Sequence, residues 1–171
     1  MSASSDELLA FLRRLRAVKD YTPEPVSQAT IEAILEVGRW TGTGGNRQPT
    51  EVLVVRDPET KRKLGEWGAA PAATAAVVLL LVTASDAGVF DEGRVAERLA
   101  LAAAAYGLGA TIATLKNDGP DAAKRLLGIP TERRAVELVA IGHPDVKARR
   151  ARPKAAQARK PMAEFVHWDR F

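Results

Sequence analysis

The run Ala75-Ala76-Val77-Val78-Leu79-Leu80-Leu81-Val82-Thr83 is apolar up to its last residue. An unbroken apolar run of this length is typical of a strand that is covered on both faces. The longer apolar stretch 69–84 contains Pro71 and is too short to cross a bilayer comfortably. We therefore predict a buried strand here, packed inside a sheet rather than inserted in a membrane.

Helices and strands are predicted on both sides of this strand. Apolar spacing and caps indicate helices over 5–16, 27–40, 58–67, 91–106 and 120–127, and strands over 51–56, 110–114 and 136–141. The helix 91–106 is rich in alanine, so neighbouring elements can approach it closely. The pattern is that of an α+β chain with about four strands and five helices, and it leaves the strand order open.

Composition excludes several kinds of site. The chain has 171 residues, 46% hydrophobic and 27% charged, which suits one folded domain. It has no cysteine, which excludes disulfides, thiolate zinc sites, iron–sulfur clusters and a cysteine nucleophile. His143 and His167 are the two histidines, and neither has an acidic partner at motif spacing. We expect no metal site.

The net charge of +4 is concentrated near the end of the chain. Residues 147–160 contain seven basic residues and no acidic one, and the rest of the chain carries −3. This segment is either a solvated linker or a nucleic-acid-binding patch. It contains no aromatic residue on which a base could stack, which disfavours nucleic acid. The N-terminus has acidic residues before its apolar ones and no secretory signal, so we expect a soluble, cytoplasmic protein.

Two segments are candidates for ligand binding. The loop Thr41–Pro49 contains three glycines, which let a backbone approach a flat ligand, and Thr43 and Asn46 can donate hydrogen bonds to it. The alternative is an ordinary turn, and the glycine spacing matches neither the Rossmann nor the Walker motif. The second segment carries cations at the end of the first helix, namely Arg13, Arg14, Arg16 and Lys19. These cations could clamp a phosphate or simply complement the helix dipole.

Charges on the long helix are interpreted as surface or interface ion pairs. Asp91, Glu92, Arg94, Glu97 and Arg98 have spacings that place several of them on one helix face. Such pairs contribute a few tenths of a kcal/mol each.

Short motifs follow one another along the chain. In order they are Arg16-Ala17-Val18-Lys19-Asp20-Tyr21, Pro25-Val26, the loop Trp40–Thr50, Gly107-Leu108-Gly109, Leu126-Leu127-Gly128-Ile129-Pro130, Gly142-His143-Pro144 and Arg159-Lys160-Pro161-Met162-Ala163-Glu164. Together they resemble the nitroreductase family of flavoproteins over about residues 13–171. The resemblance implies an α+β fold with a central, mainly antiparallel sheet flanked by helices, in one FMN-binding domain over residues 1–171. It also implies an intertwined homodimer, with an FMN in each interface cleft and the tail 161–171 packed on the partner subunit.

The resemblance also assigns site residues. The cofactor-binding residues that it implies are Arg16, Ala17, Lys19, Thr43, Gly44, Asn46, Gln48, Thr114, Leu115, Arg159 and Lys160. Arg16 and Arg159 would bind the phosphate, and Lys19 would lie near the phosphate or the pyrimidine end of the ring. The loop would reach the ring from the other subunit, and residues 114–115 would meet its N5 edge with a backbone amide. No side chain is expected to be catalytic, because the flavin carries the chemistry.

The implied activity is a ping-pong transfer of electrons from NADH or NADPH to a small acceptor such as a nitroaromatic or a quinone. A flavin-binding protein without turnover, for storage or sensing, fits the same motifs. A nucleic-acid-binding module that uses the basic segment is the third and weakest interpretation.

Overall fold

The sheet is built around the apolar run. The computed structural model describes residues 4–85, 87–151 and 159–171. Its strands are β1 (Thr50–Val55), β2 (Val77–Ala84), β3 (Gly109–Thr114), β4 (Arg133–Arg134) and β5 (Glu137–Gly142). Their order is β1-β2-β5-β3, β4 pairs with the end of β2, and all of these pairs are antiparallel. The expected α+β fold with a mainly antiparallel sheet is confirmed.

Helices cover both faces of this sheet. In the described part of the chain they are α1 (Ser5–Arg14), α2 (Gln28–Arg39), α3 (Pro58–Glu66), α4 (Val89–Ala105), α5 (Gly119–Leu127), α6 (Val146–Ala151) and α7 (Met162–Phe165). Single 3-10 turns lie at Gly44–Asn46 and Ala70–Ala73. None of these helices combines the length and the apolar character that a membrane span needs.

Alternation along β2 divides the core into two layers. Val77, Leu79 and Leu81 pack with side chains of α2 and α4. Val78, Leu80 and Val82 pack with Leu64 of α3 and Ala123 of α5. Burying each of these large side chains stabilises the fold by roughly 1.5–3 kcal/mol. The prediction of a strand covered on both faces is confirmed.

The first helix differs from its prediction at both ends. Ser4, rather than Ser5, is the N-cap, because its side chain accepts from the Glu7 amide while the Glu7 side chain accepts from the Ser4 amide. The helix ends at Arg14 instead of Arg16. Leu15 is already extended, and the chain then runs along β3, where the Val18 amide donates to the Ala110 carbonyl over 2.9 Å.

Two apolar segments are left uncovered. Helix α1 buries none of its residues, although it carries the apolar stripe Leu8, Leu9 and Leu12. The tail from 159 onward exposes large apolar side chains, namely Met162, Phe165, Trp168 and Phe171. The basic segment falls partly outside the described residues, because 152–158 are not among them.

Candidate functional site

An extended segment, residues 15–22, positions the first set of predicted site residues. The Thr22 amide donates to the His143 carbonyl over 2.9 Å, and the Tyr21 hydroxyl lies 2.6 Å from the Val18 carbonyl and 2.8 Å from the Ala140 carbonyl. Burial raises the pKa of the Tyr21 hydroxyl, so it stays protonated and can donate. These bonds fix the segment beside β3, with Lys19 exposed.

The first cavity, which we call the arginine cavity, has a volume of about 470 Å³. It lies between the segment 14–18, the C-terminal half of α4 and the residues 107–112 that open β3. Arg14, Arg16 and Ala17 line it, together with Glu97 of α4. The Arg16 Nη1 donates to the carbonyls of Arg13 and Leu15 over 2.7 and 2.6 Å. The guanidinium therefore caps the C-terminal end of α1 and also lines the cavity, while its role as a phosphate clamp stays a prediction.

The second cavity, the lysine cavity, has a volume of about 480 Å³ and adjoins the first. Its lining includes Lys19, Thr114 and Lys116, and it shares Thr111 and Ile112 of β3 with the arginine cavity. The two cavities together form a continuous lining along β3 that carries four basic side chains.

Gly68 and Lys116 are lysine-cavity residues that the sequence argument missed. The Lys116 amide donates to the Trp67 carbonyl over 2.8 Å, so the chain passes close to Gly68. Gly68 has φ +109°, and a Cβ on it would lie 2.8 Å from Lys116 Cγ. Only glycine fits there without strain. The signal available in the sequence was the turn-forming run Gly68-Ala69-Ala70-Pro71.

The two site residues predicted at the end of β3, Thr114 and Leu115, have different surroundings in the structure. Thr114 lines the lysine cavity, whereas Leu115 is buried in the core. The Leu115 amide donates to the Val136 carbonyl over 2.9 Å, so this amide is engaged within the protein. Of the two residues, only Thr114 lines a cavity, and the cofactor-binding role of both stays a prediction.

The loop 41–49 has an unusual backbone. Asn46 and Gln48 have positive φ angles of 54° and 49°, in the left-handed region that non-glycine residues rarely adopt. Each such residue costs on the order of 1–3 kcal/mol, and strain of this kind clusters at ligand sites. Thr43 Oγ1 accepts from the Gln48 amide over 3.0 Å, and the Gly44 amide donates to Asp91 Oδ2 over 3.1 Å.

Within one protomer the loop 41–49 and the arginine cavity have no lining residue in common. The loop is tied to α4 at Asp91, whereas the arginine cavity contacts the same helix from Glu97 to Ala104. Six residues of α-helix, roughly 9 Å along the axis, separate Asp91 from the first of these lining residues. Thr43 and Gln48 instead line a separate cavity of about 570 Å³ between α2 and β1. The structure therefore does not bring the predicted loop residues and the predicted cations together in one chain.

Arg159 and Lys160 precede α7 and are exposed. The structure gives no contact between them and the described residues of either cavity. Their assignment to a phosphate site stays a prediction. His143, a weak candidate, has Glu24 Oε1 at 3.7 Å from its Nε2, and His167 stacks on Phe171.

A partly buried charge cluster lies beside the C-terminal end of β3, where Glu137 pairs with Thr114. Glu92 on α4 is 2% exposed, so the interpretation of the α4 charges as surface or interface pairs is wrong for this residue. Arg134 Nε donates to Glu92 Oε2 over 3.0 Å, and Arg134 Nη2 donates to Glu137 Oε2 over 2.6 Å. Burial raises the pKa of Glu92 to about 7, and the Glu137 carboxyl adds to the rise. Among the described residues, no group of acidic or histidine side chains could hold a metal ion.

Comparison with known proteins shows which proteins this chain is similar to. The sequence model of the nitroreductase family matches residues 12–88. An NADH dehydrogenase of Thermus thermophilus is 30% identical, over 95% of this chain and 96% of the relative. An FMN reductase [NAD(P)H] of Bacillus subtilis is 34% identical over a shorter stretch, 46% of this chain and 32% of the relative.

A solved structure shares the fold. An FMN-dependent nitroreductase of Clostridium difficile superposes with a TM-score of 0.82 over 95% of this chain and 99% of its own. The two sequences are 19% identical, so this likeness concerns the arrangement of helices and strands.

Proposed function

The chain belongs to the nitroreductase family, and from this premise we propose that it is an FMN-dependent NAD(P)H oxidoreductase acting on nitroaromatic, quinone or similar acceptors. The observation that carries the proposal is the pair of adjoining cavities along β3, which are lined by four basic side chains. The names of the relatives suggest the activity and the cofactor, and the two cavities are the proposed binding site for that cofactor.

The residues of the two cavities fit FMN. FMN joins a phosphate, which needs cations, to a flat ring, which needs close backbone. Arg14 and Arg16 line one cavity, and Lys19 and Lys116 line the next. Each volume falls within the range of small-molecule sites, roughly 300–1,000 Å³. Guanidinium groups pair bidentately with phosphate oxygens, so the arginine cavity suits the phosphate and the lysine cavity the ring.

The site is proposed to be complete only in a homodimer. No residue of the loop 41–49 lines its own chain's arginine cavity, so the partner would supply Thr43, Gly44, Asn46 and Gln48. Uncovered apolar side chains support association. They lie on α1, at the start of α4 and in the tail, namely Leu8, Leu9, Leu12, Val89, Phe90, Phe165, Trp168 and Phe171. Covering them would remove these side chains from water.

Bound FMN supplies the chemistry of accepting a hydride from NAD(P)H and passing electrons to the acceptor. The protein's own groups bind and orient. Arg16, together with Arg159 and Lys160 from the tail, would hold the phosphate. Lys19 places a positive charge in the lysine cavity and favours an extra negative charge there. The order proposed is ping-pong, in which the oxidised nucleotide, NAD(P)⁺, leaves before the acceptor enters.

The proposal is tested by FMN titration of the purified protein and of two single variants. Arg16→Ala removes a cation that lines the arginine cavity, and it should weaken FMN binding by about 1.5–3 kcal/mol, the contribution of a hydrogen bond to a charged group. Arg13→Ala removes an equal charge three residues earlier in the chain, in the last turn of α1 and outside the cavity lining, and it should change the affinity little.

Three outcomes contradict the proposal. Absence of FMN binding would overturn it, and equal losses in the two variants would show that FMN responds only to net charge. FMN that binds but is not reduced by NADH or NADPH under anaerobic conditions would indicate a binding protein without turnover. Bleaching of the flavin spectrum by either nucleotide, followed by reoxidation with a quinone, is the expected result.

A further inference from the structure

A small, partly open space beside the lysine cavity is lined by the two carboxyls of the charge cluster. It has a volume of about 200 Å³ and lies under the N-terminal half of α4. Glu92 and Glu137 supply its acidic lining, and Ile112 forms a wall that it shares with both cavities described above. Glu137 also faces Thr114 across the β3–β5 pair, and Thr114 lines the lysine cavity. The cluster is therefore one strand away from the proposed ring position, at a spacing of about 4.8 Å between strands.

One oxygen of the cluster has no donor. Glu92 Oε2 accepts from Arg134, but Glu92 Oε1 is buried and has no hydrogen-bond partner among the described residues. A buried carboxylate oxygen without a donor is costly, whereas a proton on that oxygen turns it into a donor. Two carboxyls bridged by one guanidinium carry a net charge of −1 when both are ionised and 0 when they share a proton. The cluster thus has two charge states that differ by one proton.

Among the described residues that line this space, no further charge compensates these two states. The remaining lining consists of Val89, Gly93 and Ala96 of α4 and Ile112 of β3, none of which is charged. Asp91 and Arg94 on the same helix lie 3.6 Å apart and pair with each other. The adjacent Arg133 pairs with Glu51 on β1 at 2.6 Å. Arg134 is the cation that faces both glutamates.

We propose that the Glu92–Arg134–Glu137 cluster is a redox-linked proton site, which takes up one proton when the lysine cavity gains a negative charge and releases it when that charge leaves. The inference rests on the proposed function. NAD(P)H delivers a hydride, which is two electrons and one proton, and leaves as NAD(P)⁺, so the site becomes more negative by one charge. Glu92 offsets this charge by taking a proton from water. When the acceptor removes the hydride, Glu92 returns its proton to water, and the acceptor takes a proton from the same source.

The size of the coupling follows from Coulomb's law. Two unit charges on the order of 10 Å apart interact through an effective dielectric constant between those of protein and water. The negative charge gained on reduction should therefore change the protonation equilibrium of Glu92 roughly two- to tenfold, and ionised Glu92 should change the reduction equilibrium by the same factor. Burial and the neighbouring Glu137 raise the pKa of Glu92 to about 7, so the exchange falls in the physiological range.

The test is the midpoint potential of the FMN-loaded protein between pH 6 and pH 8. From pH 6 to pH 8, the equilibrium constant for FMN reduction should fall roughly two- to tenfold further in the wild type than in Glu92→Gln. The glutamine mimics the protonated state of Glu92 at every pH. Glu132→Gln, which removes an exposed carboxylate two residues from Arg134, should follow the wild type. Glu137→Gln should move the extra fall to lower pH, because it removes the carboxyl that raises the Glu92 pKa.

A second readout needs no cofactor. Infrared spectra of the FMN-free protein at pH 6 should show a buried carboxylic acid band that is absent from Glu92→Gln and disappears by pH 8. If the midpoint potentials of the wild type and Glu92→Gln run parallel with pH, the inference is wrong, whereas the proposed function is unaffected. If FMN does not bind at all, the proposed function fails together with the coupling, and the infrared band then reports whether the shared proton exists without it.

Discussion

Substituting alanine at Gly109 should displace the segment that carries Arg16 and Lys19. A Cβ at Gly109 would lie 2.6 Å from Val18 Cγ1 and 2.7 Å from Val18 Cβ, whereas ordinary contacts are 3.4–4 Å. Rotation about χ1 does not move the Cβ, so the backbone around Val18 must retreat by about 1 Å. Overpacking of this kind costs roughly 1–3 kcal/mol. For a chain of 171 residues, this corresponds to a fall in melting temperature of about 2–12 °C.

The same movement should weaken FMN binding by about 1.5–3 kcal/mol, because a charged hydrogen bond does not survive a 1 Å displacement. Melting curves and FMN titration measure the two effects. Gly93→Ala is the matched control, since a Cβ there meets nothing within 4 Å and alanine stabilises a helix interior by about 0.8–1 kcal/mol relative to glycine. Val18→Ala added to Gly109→Ala should restore part of both losses. Unchanged melting and unchanged FMN affinity in Gly109→Ala would refute the placement of this segment against β3.

Three other predictions follow from the structure. Asn46→Gly should weaken FMN binding or shift the FMN midpoint potential without lowering the melting temperature, because glycine relieves the strain of the positive φ. Thr43→Val should lower both the FMN affinity and the melting temperature, because the Thr43 hydroxyl also accepts a hydrogen bond from the Gln48 amide. The raised pKa of Glu92 contributes stability that is fully present below about pH 4.5 and is lost as pH rises through about 7. Chemical denaturation should show that the free energy of unfolding of the wild type falls by up to about 3 kcal/mol relative to Glu92→Gln between pH 4.5 and 8. A difference between the two proteins that stays constant with pH would contradict the pKa shift. Deleting residues 162–171 should raise the dissociation constant of the dimer in sedimentation, and a wild-type mass near 18 kDa at micromolar concentration would count against any dimer.

The elements that sequence predicted well are those that repeat a pattern over many residues. The strand at Val77–Ala84 and the helix at Val89–Ala105 each present a long apolar surface, and that surface decides which way they face. The two-residue strand Arg133–Arg134 has no such pattern, because it exists only through its pairing with the end of β2. Strand order also depends on contacts far apart in sequence, and it stayed open until the structure showed it.

The burial of Glu92 could have been found. It precedes Val95 and Ala96 by three and four residues and Leu99 by seven, so helical spacing places it on the buried face of α4. Its charge led to the wrong interpretation. Its partners Arg134 and Glu137 lie more than forty residues away, and only the fold brings them together. The left-handed backbone at Asn46 likewise depends on the complete loop.

The central claim is that each flavin site combines the cations of one chain with the loop of its partner. The direct test is a heterodimer, purified with two affinity tags, in which one chain carries Arg16→Ala with Lys19→Ala and the other carries Asn46→Gly with Thr43→Val. A composite arrangement places all four substitutions in one site and leaves the other intact. FMN titration should then give one site per dimer with wild-type affinity. If each site lies within a single chain, both sites are damaged, and a heterodimer without any wild-type site would contradict the claim.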